Sequence, residues 1–296
     1  MDTEFTRRAR YHSSADGFNI ARPAVTPRTF VAERDTAFDS SAATGLFALD
    51  TSAELGLPFP ATTPLILARY ARIRAGEKLS TRFAASGEIY YVITGEGETR
   101  WDDGALAWTA GDAFCLPGGG AASHAALGAD SVLWVVTDEP QLAFTHVRPP
   151  APAGAAIEPV HYPGAEILRE LDAIYALPPE KSATGKAVTF SSRARAGETT
   201  VLPGFTLAMN SLPPGESQRP HHHNAVAVTL IVRGQGCHSM VGGQRIDWQR
   251  HATMITPPAA PHSHHNDGSE RALFLIVQDG GLHYHTRTMG FGFDPV

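Results

Sequence analysis

Pro220-His221-His222-His223, answered further along by Pro261-His262-Ser263-His264-His265-Asn266, are the stretches from which the fold of this chain can be read. Ten of its 14 histidines lie between His221 and His285. A neutral imidazole is the commonest protein ligand for a transition metal. In a β-strand, residues i and i+2 point to the same face. His221 and His223 can therefore aim at one ion from one strand, with His222 facing away. His262 and His264 can do so from a second strand, with His265 facing away. A lone histidine is ordinarily a satisfied surface or core residue. Two His-x-His pairs, each beside a proline and each entering a strand-like segment, form a metal-binding pattern.

Working outward, the chain repeats itself. Gly76-Glu77 matches Gly215-Glu216 and Gly95-Glu96-Gly97 matches Gly234-Gln235-Gly236, at the same offset (215−76 = 139, 234−95 = 139). Trp108 matches Trp248 and Pro117 matches Pro257 at one residue more (248−108 = 140, 257−117 = 140). Each copy reads as short strands bounded by Gly, Pro or Asp. In the first copy these are 65–73, 89–94, 113–116 and 131–137. In the second they are 206–212, 225–232, 253–256 and 272–278. Regular short strands with turn signals between them predict a sandwich or barrel in each copy. Residues 147–156, rich in Pro and Ala, read as a linker. Ile167, Leu168, Leu171, Ile174 and Leu177 then recur at helical spacing until Pro178-Pro179 stops them. That helix is expected on the outside of a barrel. Residues 1–60 show no period and are expected to wrap the barrels as an arm.

Gly215-x5-His221-x-His223 followed by Gly234 resembles the first cupin motif, and Pro257 followed by His262-x3-Asn266 resembles the second. The resemblance covers both repeats. It implies an all-β fold of two tandem cupin barrels (double-stranded β-helix, jelly-roll) with a short connecting helix. The expected organisation is an arm over 1–60, a first barrel over 61–145, a linker with helix over 146–186 and a second barrel over 187–296. A glutamate usually follows the His-x-His pair in cupins, but Ala227 and Val228 stand there. His221, His223 and His262 would then hold one divalent metal per chain as three neutral imidazoles. That set is similar to the site of gentisate and salicylate ring-cleaving dioxygenases. His264 matches the place where those enzymes keep a second histidine beside the substrate, which implies a catalytic role for it. Those relatives carry the working site in the N-terminal barrel; here it falls in the C-terminal one. Subtracting the offset puts Arg82, Ala84 and Ala122 at the ligand positions of the first barrel, so that barrel is expected to hold no metal. Glu88 survives there and is expected to face inward and pair with Arg82.

Three neutral ligands leave a divalent ion its full charge and, if six-coordinate, about three open positions. An anionic bidentate small molecule is its natural partner, and the resemblance makes that an aromatic carboxylate, with O₂ as co-substrate and Fe(II) as the metal. Zn, Mn or Ni would suit a hydrolase, isomerase or aminohydrolase instead, and a ligand-binding module without turnover is the third reading. Among the remaining imidazoles, His238 and His251 are expected in turns, and His283 and His285 on a solvated C-terminal strand. Asn266 is expected to fix a turn.

Bulk properties narrow the classes further. The 296 residues are 43% hydrophobic and 18% charged, with a net charge of −6. This is a globular composition, and without a long Lys/Arg run no nucleic-acid partner is expected. No apolar run is long enough for a bilayer, so no membrane partner is expected, and Arg7, Arg8 and Arg10 have no apolar core behind them. Two cysteines, Cys115 and Cys237, make no disulfide framework, which places the expectation in the cytoplasm. A homo-oligomer is expected.

Overall fold

A computed structural model describes residues 2–151, 154–178 and 184–294. Its strands form four sheets, and every pairing between named strands is antiparallel. The first repeat sets a six-stranded sheet against a four-stranded one. The larger sheet runs Val160–Tyr162, Ala113–Pro117, Gly87–Thr94, Ser131–Thr137, Leu67–Ile73, Gly45–Ala48. The second repeat sets a six-stranded sheet against a five-stranded one. Its smaller sheet runs Gln244–Asp247, Cys237–Val241, His262–Asn266, His221–His223, Phe291–Phe293.

The apolar strands are continuous rather than alternating because both faces are covered. In Ser131–Thr137, the residues Val132, Trp134 and Val136 join a core shared by the two barrels, while Leu133 and Val135 fill the first barrel. In Ala272–Gln278, Leu273, Leu275 and Val277 join the same shared core, while Ala272 and Phe274 fill the second barrel. The two large sheets thus bury their outer faces against each other. Tyr70 Oη crosses this interface and donates to the His251 carbonyl at 2.6 Å.

The N-terminal segment ties the halves together. Arg28–Phe30 pairs with Thr253–Thr256 of the second barrel, and Gly45–Ala48 pairs with Leu67–Ile73 of the first. The helix Gly164–Ala176 buries Ile167 and Leu171 in the shared core and lies over Lys186–Thr189 and Thr206–Leu212. Its stop at Pro178-Pro179 falls only partly within the described residues, since 179 lies outside them.

Two local expectations are corrected. His238 is not in a turn but in the strand Cys237–Val241, buried and paired with Asp247 and His265 across the sheet. His283 and His285 lie on the helix Gly280–Thr286, not on a strand. The Gly280-Gly281 pair opens that helix. A Cβ on Gly281 would meet the Pro203 carbonyl oxygen at 2.6 Å, so only glycine lets the helix sit against that backbone. His251 does lie in a turn, with φ of 62°.

Candidate metal centre

The strand His221–His223 pairs with His262–Asn266 so that His221 stands directly opposite His262. Alternation turns His221, His223 and His262 inward, and all three are buried. Their ring centroids are 4.1 Å (His221 to His262), 4.8 Å (His223 to His262) and 5.9 Å (His221 to His223) apart. One donor atom from each lies within 4.8 Å of the others, and among the described residues this is the only such group of three.

The backbone sets the tautomers. His221 Nδ1 donates to the Arg219 carbonyl at 2.9 Å, His223 Nδ1 to the Ala225 carbonyl at 2.8 Å, and His262 Nδ1 to the Ala260 carbonyl at 2.9 Å. With each Nδ1 proton so held, each Nε2 presents a lone pair. Every orienting carbonyl lies two residues away, so each imidazole carries its support in its own segment. Burial pushes the His262 imidazole down to about 3, and burial also holds His221 and His223 below their ordinary value. The three are therefore neutral at pH 7, the form that ligates a metal without first losing a proton. The donor set fits a divalent ion.

Gln278 completes the ring, and sequence reasoning missed it. Its Nε2 donates to His223 Nε2 at 3.1 Å. Gln278 pairs with Ala227, the position where a glutamate was expected, so an amide from the neighbouring strand stands beside the place the carboxylate left. The one available signal was a polar residue ending the apolar run Ala272–Gln278.

His264, two residues beyond His262, is buried and lines the same cavity of ≈ 250 Å³. Its Nδ1 is 2.8 Å from Ser239 Oγ, which accepts from Trp248 Nε1 at 2.7 Å. Burial, reinforced by the His262 and His221 imidazoles, holds His264 well below its ordinary value, so it is neutral. The first barrel repeats this arrangement. His124 Nδ1 is 2.8 Å from Thr99 Oγ1, which accepts from Trp108 Nε1 at 2.9 Å. The tryptophan–hydroxyl–imidazole unit is thus a feature of both barrels, and among the described residues only in the second does it stand beside three convergent imidazoles.

The Arg82–Glu88 pair does not form. Arg82 is exposed, while Glu88 is buried and accepts from Tyr90 Oη. The reason is a shift of one residue: Thr81 pairs with Ala122 as His221 pairs with His262, so the structural offset here is 140 (221−81) and not 139. Thr81 and Phe83 therefore point inward at the positions of His221 and His223, and Arg82 points out. Thr81 Oγ1 lies 3.0 Å from His124 Nε2. Burial raises the Glu88 carboxyl to about 8, with the Tyr90 hydrogen bond and, less, Arg69 only partly offsetting it. Of the outward-facing imidazoles, His222 reaches Asp294 at 2.9 Å and His265 lies 2.8 Å from Ser217 Oγ. Asn266 Nδ2 donates to the Leu212 and Glu270 carbonyls, and its Oδ1 accepts from Gly268 N, so it does fix a turn. Cys115 and Cys237 are both free and buried. No helix among the described residues is long and apolar enough to cross a membrane.

Comparison with known proteins agrees with this geometry. A cupin-domain model matches residues 208–278, which contain all three convergent histidines. Over 79 residues the chain is 37% identical to a gentisate 1,2-dioxygenase of Ralstonia sp, covering 27% of this chain and 22% of that protein. Over 79 residues it is 33% identical to a 5-aminosalicylate 1,2-dioxygenase of Comamonas sp, covering 27% and 21%. The matched segment thus spans about a fifth of the length of these relatives. A solved salicylate 1,2-dioxygenase from Pseudaminobacter salicylatoxidans superposes on 96% of this chain and 92% of its own, with a TM-score of 0.77 at 15% identity. Residues 208–278 thus match a cupin domain, the whole chain has the two-barrel fold of the solved salicylate 1,2-dioxygenase, and the 79 matched residues are similar to gentisate and 5-aminosalicylate 1,2-dioxygenases.

Proposed function

We propose that the second barrel holds one Fe(II) ion on His221, His223 and His262, and that the protein is a ring-cleaving dioxygenase for a small aromatic hydroxy-acid. The observation that carries this reading is a ligand set of three neutral imidazoles, each freed at Nε2 by a backbone carbonyl on Nδ1. No carboxylate among the described residues lines the cavity to lower the metal's charge. The names of the relatives, gentisate and 5-aminosalicylate 1,2-dioxygenase, supply the substrate class.

When bound, Fe(II) supplies the redox chemistry that joins a chelating substrate to O₂. The chain's own residues do the rest. The cavity, at ≈ 250 Å³, is sized for a small ligand. His264 is neutral. In the tautomer whose Nδ1 accepts from Ser239, it presents an Nε2–H to the cavity and can hold a substrate oxygen by donation. Its place in the mechanism is to orient the substrate. Oxygen-electrode measurements on Fe(II)-loaded protein test the reading. Uptake is expected with at least one of gentisate, salicylate or hydroxynaphthoate and none with benzoate. No uptake with any of them, in protein that holds Zn or Mn as purified, would point to a non-oxidative reaction at the same site.

A further inference from the structure

The cavity beside the three histidines has an unusual lining for a site that faces anions. Among the described residues that line it there is no Lys, Arg, Asp or Glu. Its polar groups are neutral side chains such as Asn210, Gln218, Thr229 and Gln278, besides the imidazoles. Of these, Thr229 stands apart. It is 1% exposed, and its Oγ1 is buried with no hydrogen-bond partner.

The sequence around it sharpens the point. Thr229 interrupts Ala225-Val226-Ala227-Val228-Thr229-Leu230-Ile231-Val232, an otherwise apolar run. Val228 and Leu230 face the core shared with the first barrel, so alternation turns Thr229 toward the cavity, as it does Ala227. A valine has nearly the same shape and would remove a buried hydroxyl that satisfies nothing in the fold. Buried hydroxyls are hydrogen-bonded as a rule, and one without a partner in the wall of a cavity is a donor for a ligand seated against it.

We propose that the Thr229 hydroxyl binds a substrate oxygen directly. We further infer that the cavity selects ligands whose anionic atoms all belong to the metal-chelating pair. This rests on the metal-centre reading above. Among the groups the described residues bring to the cavity, a divalent ion on three neutral ligands is then the only formal positive charge. It can balance a chelating carboxylate and phenolate. An anionic group elsewhere on the ring would be desolvated with no cation to meet it. The Thr229 hydroxyl then meets the carboxylate oxygen that the ion leaves free, and the neutral side chains of the lining receive the rest of the ring.

Zn(II)-loaded protein, titrated calorimetrically, separates these claims from redox turnover. Salicylate is the probe for chelation, 5-carboxysalicylate adds a remote charge, and 5-carbamoylsalicylate adds the same bulk without charge. Wild type is expected to bind salicylate in a zinc-dependent manner. Thr229→Val is expected to bind zinc as wild type does but salicylate about tenfold more weakly, the loss of one hydrogen bond to a charged acceptor. Thr229→Ser is expected to restore most of the affinity. 5-Carboxysalicylate is expected to bind at least about tenfold more weakly than the carbamoyl analogue. Equal salicylate affinity in Thr229→Val, no salicylate binding by zinc-loaded wild type, or 5-carboxysalicylate binding as tightly as the amide would each overturn the inference. Failure of the metal-centre reading is visible separately, as protein that takes up no zinc or binds salicylate equally well without it.

Discussion

At the scale of single residues, two buried side chains give opposite lessons about titration. His264 sits in a tryptophan–hydroxyl–imidazole unit that the first barrel also builds around His124, so the unit by itself implies no chemistry. What distinguishes His264 is its place beside the three ligands. His264→Ala is accordingly expected to retain the metal and lose activity by about a hundredfold, as for a positioned substrate-orienting group; metal analysis beside oxygen uptake checks both halves. Glu88 lies in a barrel without ligand imidazoles, and its effect is on stability. Its folded carboxyl titrates near 8 against an ordinary value of 4.5. Between those values the folded state holds a proton that the unfolded chain has released. The contribution of this group is therefore fully present below about 4.5 and is lost as pH rises through about 8. Glu88→Gln removes that loss. In urea unfolding at pH 5, 7 and 9 the variant is expected to gain on wild type at each step, by on the order of a few kcal/mol in all. A difference independent of pH would contradict the assignment. His221, His223 and His262 were legible in the sequence as residue types at strand spacing. Thr229 and Gln278 were not, because each matters through what stands across the sheet from it.

At the scale of elements, the strands were most legible where burial on both faces makes a continuous apolar run. Ser131–Thr137, Thr206–Leu212, Thr253–Thr256 and Ala272–Gln278 coincide with the expected bounds. Legibility failed where a shift of one residue fell between glycine markers. The offset of 139 at Gly76/Gly215 and Gly95/Gly234 does not hold for the short strand between them, and one residue of slip turns every side chain to the other face. That slip put Arg82 outside and Thr81 inside. The C-terminal segment failed for another reason. Gly280-Gly281 signals flexibility, but its use here is a close backbone approach to Pro203 and Gly204. Gly281→Ala is expected to lower stability by about 1–3 kcal/mol, the usual cost of overpacking. It is also expected to displace the helix Gly280–Thr286, whose Tyr284 lines the metal-site cavity. Chemical denaturation together with salicylate affinity of the zinc-loaded protein checks this. An unchanged midpoint would show that the backbone gives way at no cost.

For the whole molecule, the two barrels share a core to which both large sheets contribute, and the N-terminal segment adds a strand to each. Such an interface couples their unfolding. Leu275→Ala, which opens a cavity in the shared core, is expected to cost about 2–5 kcal/mol. It is also expected to leave a single transition, seen alike by fluorescence and circular dichroism. Two separated transitions would show that the barrels unfold independently. The tandem duplication was legible because glycine, proline and tryptophan markers recur in register; the packing of one barrel on the other was not, since periodicity says only that a face is buried and not against what. The duplication also frames the central claim, that one barrel kept convergent imidazoles while the other filled the same positions with Thr81 and Phe83. Metal content of protein purified without chelator measures this directly, in wild type, His223→Ala and Glu88→Gln. One equivalent per chain is expected in wild type and in Glu88→Gln, and none in a folded His223→Ala. Two equivalents in wild type, or metal retained after His223 is removed, would contradict it.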